Sequence, residues 1–434
     1  MPFFSIIVPT RNRAKLLVES AIPSIVDQDF DDYEIVICDN NSSDNTKELV
    51  ENLMKQNPKI RYIYSPIWIP KEKFFEFSMK QARGEYLILF FDDDVFVKNT
   101  LNFCYSILSK FQPPILTFSN RVVYYYPDWC GSNEKNMLKI PFHTEEILIK
   151  DSKKQLEKIF DNLDLLPGTP DVTNSFYSTS FILELIEKYK TLFPFGHMGD
   201  YNIACYTLAN IEYYVFYDGP IIIFGHWSQN TTQQLRFLQT TMDEYKEWVD
   251  WIKQTLLKDM PFKEYIFSNC IAATLYKMGQ QLNLPYTIDY LKYVKKIYFD
   301  ILYIKKFGID VSYVENKFFE FLKKEKIEIE KILKEDHYSS EIFISNFFST
   351  KIYKGYRYGF NNIFEARGFF EKIKKKQILK PTLGVKRSEK FFYQLLKFGS
   401  KITLKLLGVN FQKKVLKIFK KISLYILQKE IEDE

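Results

Sequence analysis

Six consecutive apolar residues, Tyr86 to Phe91, run directly into three carboxylates, Asp92, Asp93 and Asp94, and no other stretch constrains the fold as much. An uninterrupted apolar run bounded by Gly84 and by acids predicts a strand buried on both faces, as in a parallel sheet covered by helices. Adjacent carboxylates repel one another, so packing gives no reason to place three of them at the strand's end. Two readings fit. One is a solvated acidic turn. The other is a set of oxygen ligands for a divalent cation at the carboxyl edge of an open α/β sheet.

The flanking sequence repeats the arrangement. Phe3 to Pro9 is a second apolar strand, followed by Thr10-Arg11-Asn12-Arg13 and a helical pattern through Leu16, Leu17, Ala21 and Ile25. Tyr33 to Cys38 is a third, ending at Asp39 and leading into Asn40-Asn41-Ser42-Ser43-Asp44, a loop rich in helix-capping residues. A helix through Leu49, Val50, Leu53 and Met54 reaches Pro58, and Ile60 to Tyr64 forms another short strand. Strands alternating with helices imply a doubly wound, mostly parallel sheet with helices on both faces. In such a sheet Thr10, Asp39 and the acid triplet converge on one edge.

Taken in order, Ser5-Ile6-Ile7-Val8-Pro9-Thr10-Arg11-Asn12, Ile35 through Asp44, and Ala82-Arg83-Gly84-Glu85-Tyr86 leading to the triplet resemble the family 2 glycosyltransferases of GT-A fold. The resemblance covers roughly the first 230 residues, about one large domain. It implies an inverting, metal-dependent transferase that uses a nucleotide-diphospho-sugar, with a UDP-sugar as the expected donor. It implies that Asp94 ligates Mn²⁺ or Mg²⁺, and that Asp92 lies near the ribose or a metal-bound water. Asp93 can exchange with either, since three identical residues leave the register open. It places Asp39 against the base, and lines the nucleotide pocket with Pro9, Thr10 and Arg11. Arg11 also reads as an exposed loop cation.

Further along, Phe193-Pro194-Phe195-Gly196-His197-Met198-Gly199-Asp200-Tyr201 precedes a helical pattern through Ile203, Ala204, Tyr206 and Leu208. Family members often carry Glu-Asp at such a loop. Gly199 takes the first place here and Asp200 the second, which implies Asp200 as the general base that takes the acceptor proton. Asp200 equally suits a helix N-cap. His226, after the apolar run Pro220 to Gly225, is the implied third metal ligand, a mixed nitrogen and oxygen set that Mn²⁺ accepts. It also reads as a hydrogen-bonded structural histidine, and Trp227 as a sugar platform or core filler. One departure from the family is the place of its usual Arg-Asn pair, which holds Phe75-Glu76. A positive partner for the diphosphate then comes from Lys71 or Lys73, or is absent.

The remainder is less specific. The chain has 434 residues, 46% of them hydrophobic, enough for more than one domain, and its five cysteines form no close pair. That pattern predicts a reducing, cytoplasmic setting with no zinc site or disulfide framework. No signal peptide or membrane-spanning run is evident. From about Thr240 the pattern turns helical, rich in lysine and aromatics, with the aromatics at core spacing. The expected domains are a catalytic region over 1–235, a helical accessory region over 236–380 and a basic amphipathic tail over 381–434. Between Lys386 and Lys421 eleven Lys or Arg residues face one acid, Glu389. Such a tail reads either as a contact with an anionic membrane surface, on the cytoplasmic face of the inner membrane, or as a helix packed on its own chain. No nucleic-acid recognition motif accompanies it. A saccharide or lipid-linked saccharide is the expected acceptor, in cell-surface glycan assembly. A sugar nucleotidyltransferase, a non-catalytic nucleotide-sugar-binding scaffold and, more distantly, a glycoside hydrolase complete the readings. The nucleotidyltransferase would want a glycine-rich loop after the first strand, and Thr10-Arg11-Asn12-Arg13 has none.

Overall fold

A computed structural model of the chain describes residues 1–118, 122–129, 135–141, 143–195, 198–227, 243–306, 309–328 and 351–378. Residues 1–371 form one compact unit and 372–434 a second; the account below concerns the first. In chain order its first half comprises β1 (Phe4–Thr10), α1 (Ala14–Leu16), a π-helical turn (Leu17–Ala21), α2 (Ile22–Val26), β2 (Tyr33–Asn40), α3 (Thr46–Gln56), β3 (Ile60–Ser65) and α4 (Lys71–Met79). There follow β4 (Tyr86–Leu89), β5 (Val95–Phe96), α5 (Thr100–Phe111), β6 (Ile115–Phe118), β7 (Val122–Tyr125), β8 (Met137–Ile140) and β9 (Ile147–Asp151). Next come α6 (Ser152–Asn162), β10 (Ser175–Ser178), α7 (Thr179–Tyr189), α8 (Gly199–Ala209), β11 (Tyr213–Tyr217) and β12 (Ile222–His226). The remainder is α9 (Asp243–Thr255), α10 (Phe267–Gln281), α11 (Tyr290–Lys306), α12 (Ser312–Lys324), β13 (Lys351–Lys354), α13 (Gly355–Tyr358) and α14 (Ile363–Ile378).

Eight strands form the main sheet in the order β3-β2-β1-β4-β10-β6-β11-β9. Its first four strands are parallel, with Thr10 of β1 opposite Asp39 of β2 and Ile7 opposite Leu89 of β4. The expected convergence of strand ends on one edge is therefore present. Alternate residues of these strands feed different cores. Ile6 and Val8 of β1, with Ile35 and Ile37 of β2, face the core built with Leu17, Ile25 and Leu101. Ile7, Val36 and Leu89 face the core built with Phe74, Ile182 and Ile203. Period-two alternation on a sheet covered on both sides gives the continuous apolar runs seen in the sequence. Each such side chain contributes about 1.5–3 kcal/mol by burial.

The second core extends well beyond the strands. Ile252, Leu256, Phe262, Ile271, Leu275, Ile297, Ile301 and Phe318 belong to it, so these positions after residue 240 are core, while Trp251, Tyr276 and Phe319 are exposed. Gln281 of α10 donates to the Tyr206 hydroxyl of α8 at 2.6 Å. The region also supplies a strand that pattern alone missed. β13 pairs antiparallel with β8 in a second sheet of order β13-β8-β7-β12-β5. Its Lys-Ile-Tyr-Lys sequence is mostly exposed, so it carries no apolar alternation to read. Among the described residues no helix is long and apolar enough to cross a membrane, and the basic tail lies outside them.

The Ala82-Arg83-Gly84 motif is explained at the opposite end of the strands. The Ser5 hydroxyl donates to Glu34 at 2.6 Å and accepts from the backbone N–H groups of Arg83 and Gly84 at 3.0 and 2.7 Å. Arg61 completes this buried network on Glu34 at 2.7 Å. A β-carbon at 84 would lie 2.7 Å from the backbone of Phe4 and Ser5, so only glycine allows this approach.

Candidate active site

The carboxyl edge is built around Asp92. The carboxylate is buried and both of its oxygens are engaged: Thr10 donates to one at 2.8 Å and Arg13 to the other at 3.0 Å. Thr10 thus orients the acid triplet from the neighbouring strand. The cation that meets the triplet is Arg13, to which the sequence alone assigned no role. Burial disfavours the Arg13 charge, yet Asp92, Asp93 and Asp94 outweigh it and hold the guanidinium firmly protonated. Arg13 also lies over the Trp227 ring at 5.0 Å. A helix starting just after the loop turns Arg13 inward, and nothing in the local sequence distinguishes it from Arg11.

Asp93 is buried, and that burial together with neighbouring Asp92 pushes its carboxyl up to about 7. The Trp227 indole lies close enough to oppose that rise slightly, without a hydrogen bond of full geometry among the described residues. Asp94 accepts the backbone N–H of Gly225 at 2.9 Å. Gly225 is required there, since a β-carbon would collide with the Asp93 carbonyl oxygen. β12 is thereby drawn onto the triplet, which places His226 at the next position along. The His226 ring packs against Tyr125 and Trp129, with centroids 5.3 and 5.4 Å away.

Asp39 is fully buried. It accepts from Ser42 N at 2.8 Å and from the Tyr62 hydroxyl at 2.6 Å, which fixes its orientation. Pro9 is buried beside Thr10, while Arg11 is exposed and faces the Trp68 ring at 5.9 Å. Trp68 sits in the loop after β3, which Asn40 clamps through two hydrogen bonds to Ile69, at 2.7 and 2.8 Å. Lys71 and Lys73 are exposed on the first turn of α4.

Asp200 occupies the second residue of α8 and is half-buried. The N-cap reading needs correcting: Met198, in the left-handed conformation, holds that position, and its side chain makes no capping hydrogen bond. Glu76, in the place where the family carries an Arg-Asn pair, is a brace. It accepts from Thr191 Oγ1 at 2.8 Å, from Leu192 N at 3.0 Å and from Lys80 at 2.8 Å. Burial would raise its pKa, but these bonds outweigh burial and leave it below the ordinary value of 4.5.

The triplet and Arg13 together leave an excess of negative charge in a buried site, which fits a cation. Among the described residues, however, no group of three or more His, Cys, Asp or Glu side chains is placed to cage one. The fit is to a hard cation carried by one or two carboxylates and completed by substrate phosphates. Both Asp92 oxygens are engaged by Thr10 and Arg13, and Asp94 is the candidate for that role.

The edge of parallel strands thus gathers Thr10, the buried Asp39 and the acid triplet, and the segment that holds them has known relatives. Residues 5–155 match the family model of glycosyl transferase family 2. The GalNAc(5)-diNAcBac-PP-undecaprenol beta-1,3-glucosyltransferase of Campylobacter jejuni is 41% identical over 103 residues, 24% of this chain and 33% of that protein. The dolichyl N-acetyl-alpha-D-glucosaminyl phosphate 3-beta-D-2,3-diacetamido-2,3-dideoxy-beta-D-glucuronosyltransferase of Methanococcus voltae is 24% identical over 245 residues, 43% of this chain and 71% of that protein. The chain spans one third of the length of the first of these relatives. A solved structure of S. aureus TarS in complex with UDP-GlcNAc aligns over 69% of this chain and 80% of that one, at 16% identity and a TM-score of 0.40. So distant a likeness carries no argument.

Proposed function

We propose that this chain transfers a sugar from a nucleotide-diphospho-sugar, a UDP-sugar foremost, to a hydroxyl of a saccharide or lipid-linked saccharide in cell-surface glycan assembly. The observation that carries this reading is the meeting of Thr10, Arg13, Asp39 and the acid triplet at one strand edge, within the family-matched segment. The Campylobacter and Methanococcus relatives, named for undecaprenol-linked and dolichyl-linked saccharides, support the acceptor class.

The reaction is a single inverting displacement. The acceptor oxygen forms a bond to the anomeric carbon as the bond from that carbon to the phosphate oxygen breaks, and the nucleoside diphosphate leaves with the electron pair. Asp200 takes the acceptor's proton. Asp39 accepts a hydrogen bond from the base, and Pro9, Thr10 and Arg11 line the nucleotide pocket. Arg13 holds Asp92 in place and offsets charge at the triplet. A divalent cation, Mn²⁺ or Mg²⁺, would be held by Asp94 with His226 beside it, and when bound acts as a Lewis acid toward the leaving phosphate. The basic tail over 381–434, outside the described residues, supports attachment to an anionic membrane surface on sequence grounds alone.

The test is nucleotide release from a panel of UDP-, GDP- and dTDP-sugars, with Mn²⁺, with Mg²⁺ and with chelator, beside an Asp94→Asn control. Turnover of one donor that needs metal and falls about a hundredfold in the control is the expected result. Absence of both binding and turnover for every donor would overturn the reading.

A further inference from the structure

The helix that carries the brace Glu76 carries a second acid one turn earlier, Glu72. Residues four apart share one face of a helix, so both point toward the segment that leads into α8. Glu76 is fully bonded to Thr191 and Leu192 there. Glu72 is half-buried, and among the described residues only its own backbone N–H bonds its carboxylate. Its Cγ lies 3.6 Å from where a β-carbon on Gly199 would be. Gly199 has no side chain, and Glu72 reaches into that space beside Asp200. Burial pushes the Glu72 carboxyl up, with Lys71 opposing it. Stability gives no reason to keep an acid there without a partner, whereas a ligand hydroxyl would give one.

We propose that Glu72 is a second carboxylate of the acceptor site, which accepts a hydrogen bond from the acceptor sugar and holds the attacking hydroxyl toward Asp200. The inference deepens the transferase reading and rests on it. Glu76, tied to the loop ahead of Gly199, fixes α4 so that Glu72 faces the start of α8.

The test uses the full chain, the donor that turns over in the panel, and p-nitrophenyl glycosides of hexoses and N-acetylhexosamines as acceptors. Hydrolysis of the donor, with water in the acceptor's place, reads the same variants where no glycoside is used. Glu72→Ala is expected to lower kcat/KM for the acceptor by about ten- to a hundredfold, the loss of one hydrogen bond to a charged group. Nucleoside diphosphate affinity and thermal midpoint should stay unchanged, and Glu72→Gln should keep part of the activity. Adding Gly199→Glu to Glu72→Ala should recover transfer. A β-carbon at 199 needs only a small shift of the Phe193 ring, 3.3 Å away, and the new carboxylate enters the emptied space. Unchanged transfer in Glu72→Ala would overturn the inference while leaving the transferase reading intact. So would an equal loss of nucleotide affinity, or a lowered midpoint with no recovery in the double variant. Wild-type protein that neither binds nor turns over any donor would overturn both. An active Asp200→Ala beside a crippled Glu72→Ala would remove the base assignment and keep Glu72.

Discussion

The proposed donor side and the proposed acceptor side of this site are built on opposite plans. Thr10, Arg13, Asp39 and Asp92 to Asp94 come from three adjacent parallel strands and the turns that leave them, all within the first 94 residues. Thr10 and Arg13 bond Asp92, and Asp39 is held by Ser42 and Tyr62, so this side is ordered mainly by strand register. The acceptor side brings α4 against a loop and helix more than a hundred residues later, through Glu76 on Thr191 and Leu192. It is then backed by α10, whose Gln281 holds Tyr206 of α8. A site assembled from register tolerates little change at its contact points. A site assembled by packing depends on braces remote from the chemistry.

That contrast can be broken in a defined order. Gly225→Ala should have the largest effect. The new methyl would displace Asp93 and with it Asp94, and donor turnover should fall by about a hundredfold or more in the nucleotide-release assay. Retained turnover would mean that β12 does not set the triplet. Arg13→Ala should come next. It leaves buried Asp92 without its cation, and loss of one partner of such a pair costs about 3 kcal/mol, readable as a lower urea midpoint. A variant of wild-type stability would show that the triplet needs no internal cation.

Glu76→Gln should have the smallest effect, confined to the acceptor side. The Glu76 carboxyl lies below its ordinary value, so its stabilisation is present above pH 4.5 and is lost as pH falls through the lower folded value. Near neutrality the variant should be less stable by about 1–2 kcal/mol. The two proteins should converge in acid, and nucleoside diphosphate affinity should be unchanged throughout. A gap that widens in acid would reverse the assignment.

The gathering of Thr10, Asp39 and the triplet at one edge was legible in the sequence because strand ends are. Uninterrupted apolar runs announce where β1, β2 and β4 end, and Thr10, Asp39 and Asp92 lie within three residues of those ends. What escaped was direction. Arg11 and Arg13 are chemically alike, and only the entry angle of α1 turns Arg13 onto Asp92 and leaves Arg11 against Trp68. Glu72 and Glu76 escaped for a related reason. They read as ordinary charges on an amphipathic helix until the fold sets one against a backbone N–H and the other beside a glycine. β13 was missed because an exposed edge strand has no apolar pattern.

Hydrophobic periodicity and residue order along the chain settled the α/β class, the parallel edge and the residues gathered there, since local spacing governs which side of a strand each residue takes. The tertiary structure alone decided which cation meets the acid triplet, which glycine admits β12, and which distant carboxylates share the start of α8. Those are contacts between segments remote in sequence, and packing of the shared core, rather than any local preference, brings them within reach.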